Sequence, residues 1–493
     1  MTLNDLLLGD AHPNISITGI TLDSRAVQVG NVFIALAGSQ QHGLVYVEQA
    51  IKQGAAAIIY DPAGGGLAYA ARTRTDIPML AIENLGKQLG DIAARFYGDP
   101  SNLMTVIGIT GTNGKTSCSQ FLSQMLADCG IIGTLGWGEW GNLHKTLNTT
   151  PDALAIQSMF ARLLASGKKT VAMEVSSHGL EQGRVNGVRF NGAVFTNISR
   201  DHLDYHGSME NYLQAKLALL STPDLGFAVI NLDDDYSEQI LAAVPDSVQV
   251  WGITYREQAA ENRSPKLIPS NIITAKNITN TAAGINFSVS WRGESYPVSI
   301  PLYGDFNVEN VLCVLAVMLA LGEPFQQSTE KLAQLQAVAG RMECLGGGDK
   351  PLVFVDYAHT PDALEKVLAS VRKHCAQDLW LVFGCGGNRD AGKRAMMGAC
   401  AERGADKIIV ADDNPRFENS RDIIEAILSG CEHPETITVQ AERALAIQTA
   451  ITQAQLGDCV IIAGKGHEDY QEINGKRQSF SDRVCVLNVL NKD

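Results

Sequence analysis

The sequence lacks a basic excess, a spanning apolar run and any Cys-x-x-Cys pair, and each absence closes off a class of function. Its 39 Lys and Arg stand against 53 Asp and Glu, a net charge of −14. No basic field would draw a nucleic-acid backbone, so anionic partners must be met by local Arg, Lys and metal ions. No stretch reaches the roughly 20 apolar residues of a spanning helix. Met1-Thr2-Leu3-Asn4-Asp5-Leu6 has no basic region of the kind that opens a leader. The expectation is a cytoplasmic protein with no membrane insertion. The ten cysteines are scattered. Cys118, Cys129 and Cys313 sit in apolar patterns that read as helical, where a free thiol packs as a small hydrophobe. That points to a reducing compartment rather than a disulfide framework. Internal repeats and low-complexity segments are also missing.

What is present is ample core. With 493 residues, 45% of them hydrophobic, the chain needs two to four domains. Residues 1–97 read as a small α/β unit, with strands at 31–36, 56–60 and 78–82 and helices at 46–53 and up to 96. Tyr97-Gly98-Asp99-Pro100-Ser101 is rich in turn formers and reads as a boundary. Over 98–336 strands and helices alternate, which implies a mostly parallel sheet. Strands are expected at 105–109, 169–175, 192–196 and 226–231, antiparallel strands within 270–300, and a long helix over 307–321. A third α/β unit, 337–493, has strands at 352–356, 379–384, 407–412 and 458–463 and helices at 360–375 and 420–430. The fold class is α/β throughout. The polar and glycine-rich groups follow strand C-termini, the edge where open α/β sheets bind ligands.

One stretch organises the rest: Ile107-Gly108-Ile109-Thr110-Gly111-Thr112-Asn113-Gly114-Lys115-Thr116. A β-branched strand enters a glycine turn, and an apolar helical pattern follows through Phe121, Leu122, Met125, Leu126 and Cys129. Such a turn offers backbone N–H groups and a helix N-terminus to phosphates. Lys115 would reach the β/γ oxygens and the Thr116 hydroxyl a Mg²⁺ ion. The spacing departs from the usual P-loop, because Ile109 stands where its first glycine belongs.

Other groups read two ways. Glu174 closes an apolar strand, where a carboxylate is a natural Mg²⁺ ligand. His202 alone reads better as a turn histidine, since nitrogen is a soft ligand for so hard an ion. The run Asp201-His202-Leu203-Asp204-Tyr205-His206 is either a solvated turn or, at a ligand-binding edge, functional. Lys216 lies in an apolar helical run and from its surroundings in sequence reads as a snorkelling side chain. Arg416, in Asp413-Asn414-Pro415-Arg416, is an exposed turn arginine or a fork for a carboxylate. Gly386-Gly387-Asn388-Arg389-Asp390 is similar.

Taken together, five motifs resemble the Mur ligases, ATP-dependent amide-forming enzymes of bacterial cell-wall synthesis. They are Thr110-Gly111-Thr112-Asn113-Gly114-Lys115-Thr116, Glu174-Val175-Ser176-Ser177-His178, the run from Asn197 to Gly207, Gly304-Asp305-Phe306-Asn307-Val308-Glu309-Asn310, and Gly340-Arg341-Met342-Glu343. The resemblance covers all three units in order and accounts for the odd P-loop. Asp413-Asn414-Pro415-Arg416 and Gly464-Lys465-Gly466-His467-Glu468 narrow it to members that add 2,6-diaminopimelate.

The resemblance implies roles residue by residue. ATP would be held by Gly111, Thr112, Asn113, Gly114, Lys115, Thr116 and Ser117, with Asn307 and Asn310 on the adenine side and Arg341 and Asp356 from the third unit. The first unit would hold the uridine nucleotide through Leu22, Ser24, Ser39, Gln40 and Gln41. The muramoyl-peptide would meet Asn148, Thr149, Thr150, Ser176, Gln182 and Arg184. Lys216 matches the family's carbamylated lysine (N6-carboxylysine), an anionic oxygen ligand. With Thr116, Glu174 and His202 it would serve two Mg²⁺ ions, and Lys115, Glu174, His202 and Lys216 would be the catalytic set. Arg389, Asp413, Asn414, Pro415, Arg416, Gly464 and Glu468 match the diaminopimelate pocket.

The implied reaction joins meso-2,6-diaminopimelate to UDP-N-acetylmuramoyl-L-alanyl-D-glutamate through an acyl phosphate, in peptidoglycan precursor synthesis, by a monomer. The base that takes the amine proton is left open among His202, His206 and His359. The rivals are a lysine-adding member, a folylpolyglutamate synthase and, in another class, an ATP-driven switch. Arg416 speaks against lysine and the 1–97 unit against folate.

Overall fold

The computed structural model describes residues 1–9, 12–38, 41–256, 269–281 and 284–491. The chain forms two compact units that interleave in sequence. One holds Met1–Thr110, Ala127–Ala193 and Ala218–Gly226; the other holds Gly111–Leu126, Val194–Leu217 and Phe227–Asp493.

In the first unit, Gly19–Thr21, Asn31–Ala35, Ala57–Tyr60 and Met79–Ala81 make a four-stranded parallel sheet in chain order. A strand buried on both faces sends alternate residues to each. Val32 and Ile34 accordingly join Leu85, Leu89 and Ile92 of helix Leu85–Tyr97, while Phe33 and Ala35 join Leu44, Val47 and Ala50. That helix ends at Gly98 and Asp99, both left-handed, where the turn formers were expected to interrupt the chain. Beyond it, Thr105–Thr110 pairs in parallel with Thr170–Glu174, which pairs in parallel with Cys129–Gly133. The antiparallel strands Gly136–Glu139 and Asn142–His144 extend this edge.

Cys129 is a correction. The helix after the glycine turn runs only Lys115–Met125, and Cys129 opens a strand. Asp128 takes a left-handed φ of 55°, which a continuing helix cannot hold. The apolar spacing carried on past the helix because the next element is also buried.

In the second unit, Phe227–Asn231, Gln249–Thr254 and Asn271–Thr281 pair in parallel, and Gly284–Trp291 and Glu294–Ile300 continue as an antiparallel meander. Helix Phe306–Ala320 is buried on almost every side, consistent with its near-continuous apolar sequence. The last sheet runs Glu343–Gly346, Leu352–Asp356, Cys459–Ala463, Leu379–Phe383, Lys407–Val410, Thr438–Val439, parallel but for the first strand. Helices Pro361–Arg372, Lys393–Gly404 and Ser420–Leu428 cover one face, and Arg443–Gln453 and Asp482–Leu490 the other. Among the described residues no helix is long and apolar enough to cross a membrane.

Candidate active site

The glycine turn is built by the segment 196–199. Thr112 N donates to Asn197 O (2.7 Å), Asn113 N to Asn197 Oδ1 (3.0 Å), and Thr196 Oγ1 to Asn113 O (2.6 Å). Gly111 has φ +141°, and a Cβ there would overlap the Thr196 hydroxyl, so only glycine admits this approach. Gly114 N-caps helix Lys115–Met125, which buries Thr116 and Ser117. Lys115 folds back over the turn, its Nζ donating to Gly111 O and Thr112 O at 2.8 Å each.

Residues from far along the chain complete this corner. Asn310 Nδ2 donates to Asn307 Oδ1 (3.1 Å), and Asn310 Oδ1 lies against Gly114. Arg341 Nη2 donates to Thr116 Oγ1 (3.1 Å), and the guanidinium stacks on the Tyr357 ring at 4.5 Å. Asp356 sits just behind, both oxygens held by the amides of Met342 and Ala358 at 2.7 Å; burial raises its pKa against the pull of Arg341. Asp362, at the start of helix Pro361–Arg372, accepts from Asn113 Nδ2 (3.3 Å) and Ser199 Oγ (3.1 Å). Nothing in the sequence pattern pointed to Asp362, because its partners at the glycine turn lie more than 150 positions away.

Lys216 corrects the snorkelling expectation. Its side chain is only 1% exposed, inside helix Met209–Leu217. Nζ donates to Gly111 O at 2.9 Å and lies 4.5 Å from the Tyr212 ring centre. Burial drives its pKa well below the ordinary lysine value, Lys115 lowers it further, and Asp201 only partly opposes. Burial thus favours the neutral amine, the nucleophilic form, over the ammonium.

His202 and Asp201 lie near it, and His359 and Lys393 lie near Asp201. His202 Nε2 is 3.4 Å and His359 Nε2 3.9 Å from Asp201 Oδ2. Desolvation lowers the pKa of His202 to about 4, and Lys115, His359 and Lys216 act the same way against Asp201. His202 is therefore neutral, the form in which imidazole binds metal. Burial would push the Asp201 carboxyl up, but His359, His202 and Lys393 together pull it below its usual value.

The first unit gathers a second group. Glu174 is fully buried, its Oε1 accepting from Thr134 N (2.9 Å) and its Oε2 from Thr134 Oγ1 (3.0 Å). Thr134 Oγ1 meets Thr149 Oγ1 at 2.9 Å. Thr150 Oγ1 donates to Glu174 O, accepts from Ser176 N, and Arg184 Nη1 donates to Thr150 O at 2.8 Å. Arg184 also clasps Gln182 Oε1. Thr149, Thr150, Ser176, Gln182 and Arg184 thus come together around Glu174, which stands in register with Ile109 of the strand entering the glycine turn. Asn148 is exposed beside them. Leu22 and Gln41 sit on loops of the four-stranded sheet and Ser24 opens the short 3-10 helix Ser24–Ala26, with Ser24 Oγ on Gln49 Oε1 and Gln41 on the Tyr46 hydroxyl. Ser39 and Gln40 lie outside the described residues.

Among the described residues, no three His, Cys, Asp or Glu side chains form a metal cluster. The second unit offers the Thr116 hydroxyl and the neutral His202 imidazole, and the first unit, by itself, the Glu174 carboxylate. Such donors fit Mg²⁺ only where ligand oxygens complete the set, the usual arrangement for a metal bound with a triphosphate.

The third corner is made of Asp413–Arg416 and 464–468. Gly464 has φ +113°, and a Cβ there would press on Asp413 Oδ2 at 2.6 Å. Asn414 Nδ2 donates to Glu468 Oε2 (2.8 Å), and Arg416 Nη1 to Gly387 O (2.8 Å). Arg416 holds a left-handed φ of +54°, fixed by Arg416 N on Glu472 O and Asn474 N on Arg416 O. Such strain in a non-glycine residue persists only where the surroundings enforce it. Its side chain is 17% exposed, so the exposed-turn reading does not hold. Pro415 packs its carbonyl against Gly387, and Arg389 lies exposed beside Gly386.

Comparison with known proteins places these corners in one family. Residues 16–97 match the Mur ligase family, catalytic domain; 109–318 the Mur ligase middle domain; and 340–466 the Mur ligase, glutamate ligase domain. The chain is 47% identical over 487 residues to the UDP-N-acetylmuramoyl-L-alanyl-D-glutamate–2,6-diaminopimelate ligase of Pseudomonas aeruginosa, covering 98% of this chain and 96% of that one. It is 44% identical over 473 residues to the enzyme of the same name from Coxiella burnetii, covering 95% and 94%. A solved structure of a ligase with that name superposes with a TM-score of 0.69 at 34% identity, covering 100% of this chain and 99% of the other.

Proposed function

The chain belongs to the Mur ligase family, and from that premise we propose how its three corners work. It is an ATP-dependent amide ligase with an N-terminal domain, a central mostly parallel sheet domain and a C-terminal α/β domain. It adds meso-2,6-diaminopimelate to UDP-N-acetylmuramoyl-L-alanyl-D-glutamate in peptidoglycan synthesis. We set the domain limits at 1–97, 98–336 and 337–493 and read the protein as a cytoplasmic monomer.

In this reading the γ-phosphoryl of ATP passes to the free carboxylate of the D-glutamyl residue. A carboxyl O–P bond forms as the bond to ADP breaks. The diaminopimelate amine then attacks the carbonyl, and phosphate leaves as the C–N bond closes. Two anions meet in the first step. Lys115 and the N-terminus of helix Lys115–Met125 offset their repulsion, so catalysis is chiefly positioning and charge neutralisation. Gly111, Thr112, Asn113, Gly114, Thr116 and Ser117 cradle the phosphates, Asn307 and Asn310 take the adenine side, and Arg341 and Asp356 close the corner. The muramoyl substrate lies against Leu22, Ser24, Ser39, Gln40 and Gln41 and then Asn148, Thr149, Thr150, Ser176, Gln182 and Arg184.

Lys216, whose ammonium form burial disfavours, adds to CO₂ as the amine and loses a proton to become a carbamate. Thr116, Glu174, His202 and this carbamate would hold two Mg²⁺ ions, which would supply positive charge against the negative charge of the phosphates.

One observation carries the choice of amino acid: Arg416, Asp413 and Glu468 share a corner with Asn414 and Gly464. The distal end of meso-diaminopimelate carries both an ammonium and a carboxylate. Arg416, with Arg389, suits the carboxylate; Asp413 and Glu468 suit the ammonium. Lysine has no distal carboxylate and would forgo the bidentate pair with Arg416, a loss worth orders of magnitude in selectivity. The test offers ATP and UDP-muramoyl-dipeptide with meso-diaminopimelate, lysine or ornithine and weighs the product. A diaminopimelate adduct, with ADP and phosphate released only when all substrates are present, is expected. Preferential lysine addition, or ATP hydrolysis without an acceptor, overturns the reading.

A further inference from the structure

We propose that Lys465 is a positioning residue for the amino-acid pocket, a buried cation that decides which atoms of Asn414 and Glu468 face the incoming amino acid. This rests on the diaminopimelate reading above.

Lysine is among the residues least often fully buried, and an ammonium is removed from water at high cost unless it is paired. Lys465 is 0% exposed. Gly464 and Gly466 flank it, both with positive φ, so the chain turns sharply enough to send the side chain inward. Its Nζ donates to Asn414 Oδ1 and to Glu468 Oε2, both at 3.0 Å, and lies 5.5 Å from the Tyr470 ring centre. Asn414 Oδ1 also accepts from Glu472 N at 2.9 Å. With two donors on that oxygen, the amide has one orientation, and its Nδ2 is turned onto Glu468 Oε2 at 2.8 Å. Glu468 Oε2 is thereby held by two donors, which fixes the carboxylate in one orientation.

Charge gives the arrangement a consequence for specificity. With Arg389 exposed to solvent, the groups withdrawn from water are Arg416 and Lys465 against Asp413 and Glu468, a balanced set, while Glu472 lies between Arg416 and Arg477, 3.9 Å and 3.6 Å away. A balanced pocket suits a distal end that is itself zwitterionic. Without Lys465 the pocket gains one negative charge, which suits the lone ammonium of lysine. Lys465 therefore selects against lysine although it need not touch either amino acid.

The test uses the full chain with Lys465→Met, Lys465→Gln, Glu468→Gln and the Lys465→Met/Glu468→Gln double variant. Steady-state constants are measured for ATP, UDP-muramoyl-dipeptide, meso-diaminopimelate and lysine, with a thermal melt for each protein. In Lys465→Met the diaminopimelate KM rises by about 30- to 100-fold, the size of coupling between groups in one network. KM for ATP and for the UDP substrate stays within about threefold, and the kcat/KM preference for diaminopimelate over lysine falls by about tenfold or more. The double variant costs less than the product of the two single effects. If Lys465→Met does not fold, Lys465→Gln, which keeps a neutral donor for Asn414 Oδ1, shows the same loss of preference. An unchanged preference, an unmoved diaminopimelate KM, or equal rises in every KM overturns the inference. Should the wild type itself prefer lysine, the diaminopimelate reading fails. The positioning role is then judged separately, by whether the KM of the accepted amino acid moves while that of ATP does not.

Discussion

Lys216 and Lys465 are both removed from water, and their neighbours give them opposite chemistry. Lys216 faces a backbone carbonyl and the ring of Tyr212, with Lys115 close enough to repel it. Its ammonium form is disfavoured, which leaves a reactive amine. Lys465 faces a carboxylate and an amide oxygen at 3.0 Å each. It is one half of an ion pair, and its use is to hold that pair in place. Burial alone therefore says nothing about what a lysine does. The sign and distance of the groups around it decide, and in this chain they separate the corner at the glycine turn from the corner at Asp413–Arg416.

The contrast can be broken most forcefully at Lys216. Lys216→Ala should lower kcat by about 10³-fold or more, about 4 kcal/mol of transition-state stabilisation, and short carboxylic acids should restore part of it. Activity within tenfold of wild type would remove Lys216 from the chemistry. A third buried cation sharpens the structural side. Arg443 and Asp482 are both fully buried and joined twice, at 2.7 and 2.8 Å, and Arg443 also donates to Ala463 O, next to Gly464. Asp482→Asn leaves the guanidinium without its counter-charge and should cost about 3–5 kcal/mol in denaturant unfolding. A loss under about 1 kcal/mol would mean that the pair is not what compensates Arg443.

At the amine-selecting corner, Arg416→Ala should raise the diaminopimelate KM by about 10²-fold, about 3 kcal/mol, with the ATP KM unchanged. Equal rises in both would make Arg416 a structural residue. The smallest effect concerns a buried acid. Burial pushes Glu309 up to about 7 from 4.5, aided by Asp233 and opposed by Lys366, Arg256 and the hydrogen bond from Asn231. A carboxyl raised on folding adds stability in its neutral form, complete below the unfolded value and lost as pH climbs through the folded one. Glu309→Gln stays neutral, so its stability relative to wild type should improve by about 2 kcal/mol from about pH 5 to about pH 8. A flat difference across that range would show that Glu309 ionises freely.

The geometry of the glycine-turn corner was largely legible in the sequence because its core is contiguous. Strand, glycine turn and helix follow one another from Thr105 to Met125, and the turn's donors are backbone groups that any reader of glycine spacing can place. The alternation of strands and helices likewise announced the parallel sheets. What spacing could not supply was burial imposed by distant segments. Lys216 read as snorkelling because a helical pattern shows which face is apolar but not that Tyr212 and the Gly111 carbonyl wall in the remaining one. Lys465 carries no signal of its own between two glycines; its partner Asn414 is 51 positions away. Asp362 and Asp482 were missed for the same reason. Cys129 was misplaced because two consecutive buried elements keep one apolar rhythm across the Asp128 break.

The central claim is that the Lys115 and Lys216 corner activates a carboxylate for the amine chosen around Arg416 and Lys465. It is tested most directly with ¹⁸O in the free D-glutamyl carboxylate of the UDP substrate. One labelled oxygen should appear in each phosphate released, and only when meso-diaminopimelate is consumed. Phosphate free of label, with amide product still forming, would contradict the account.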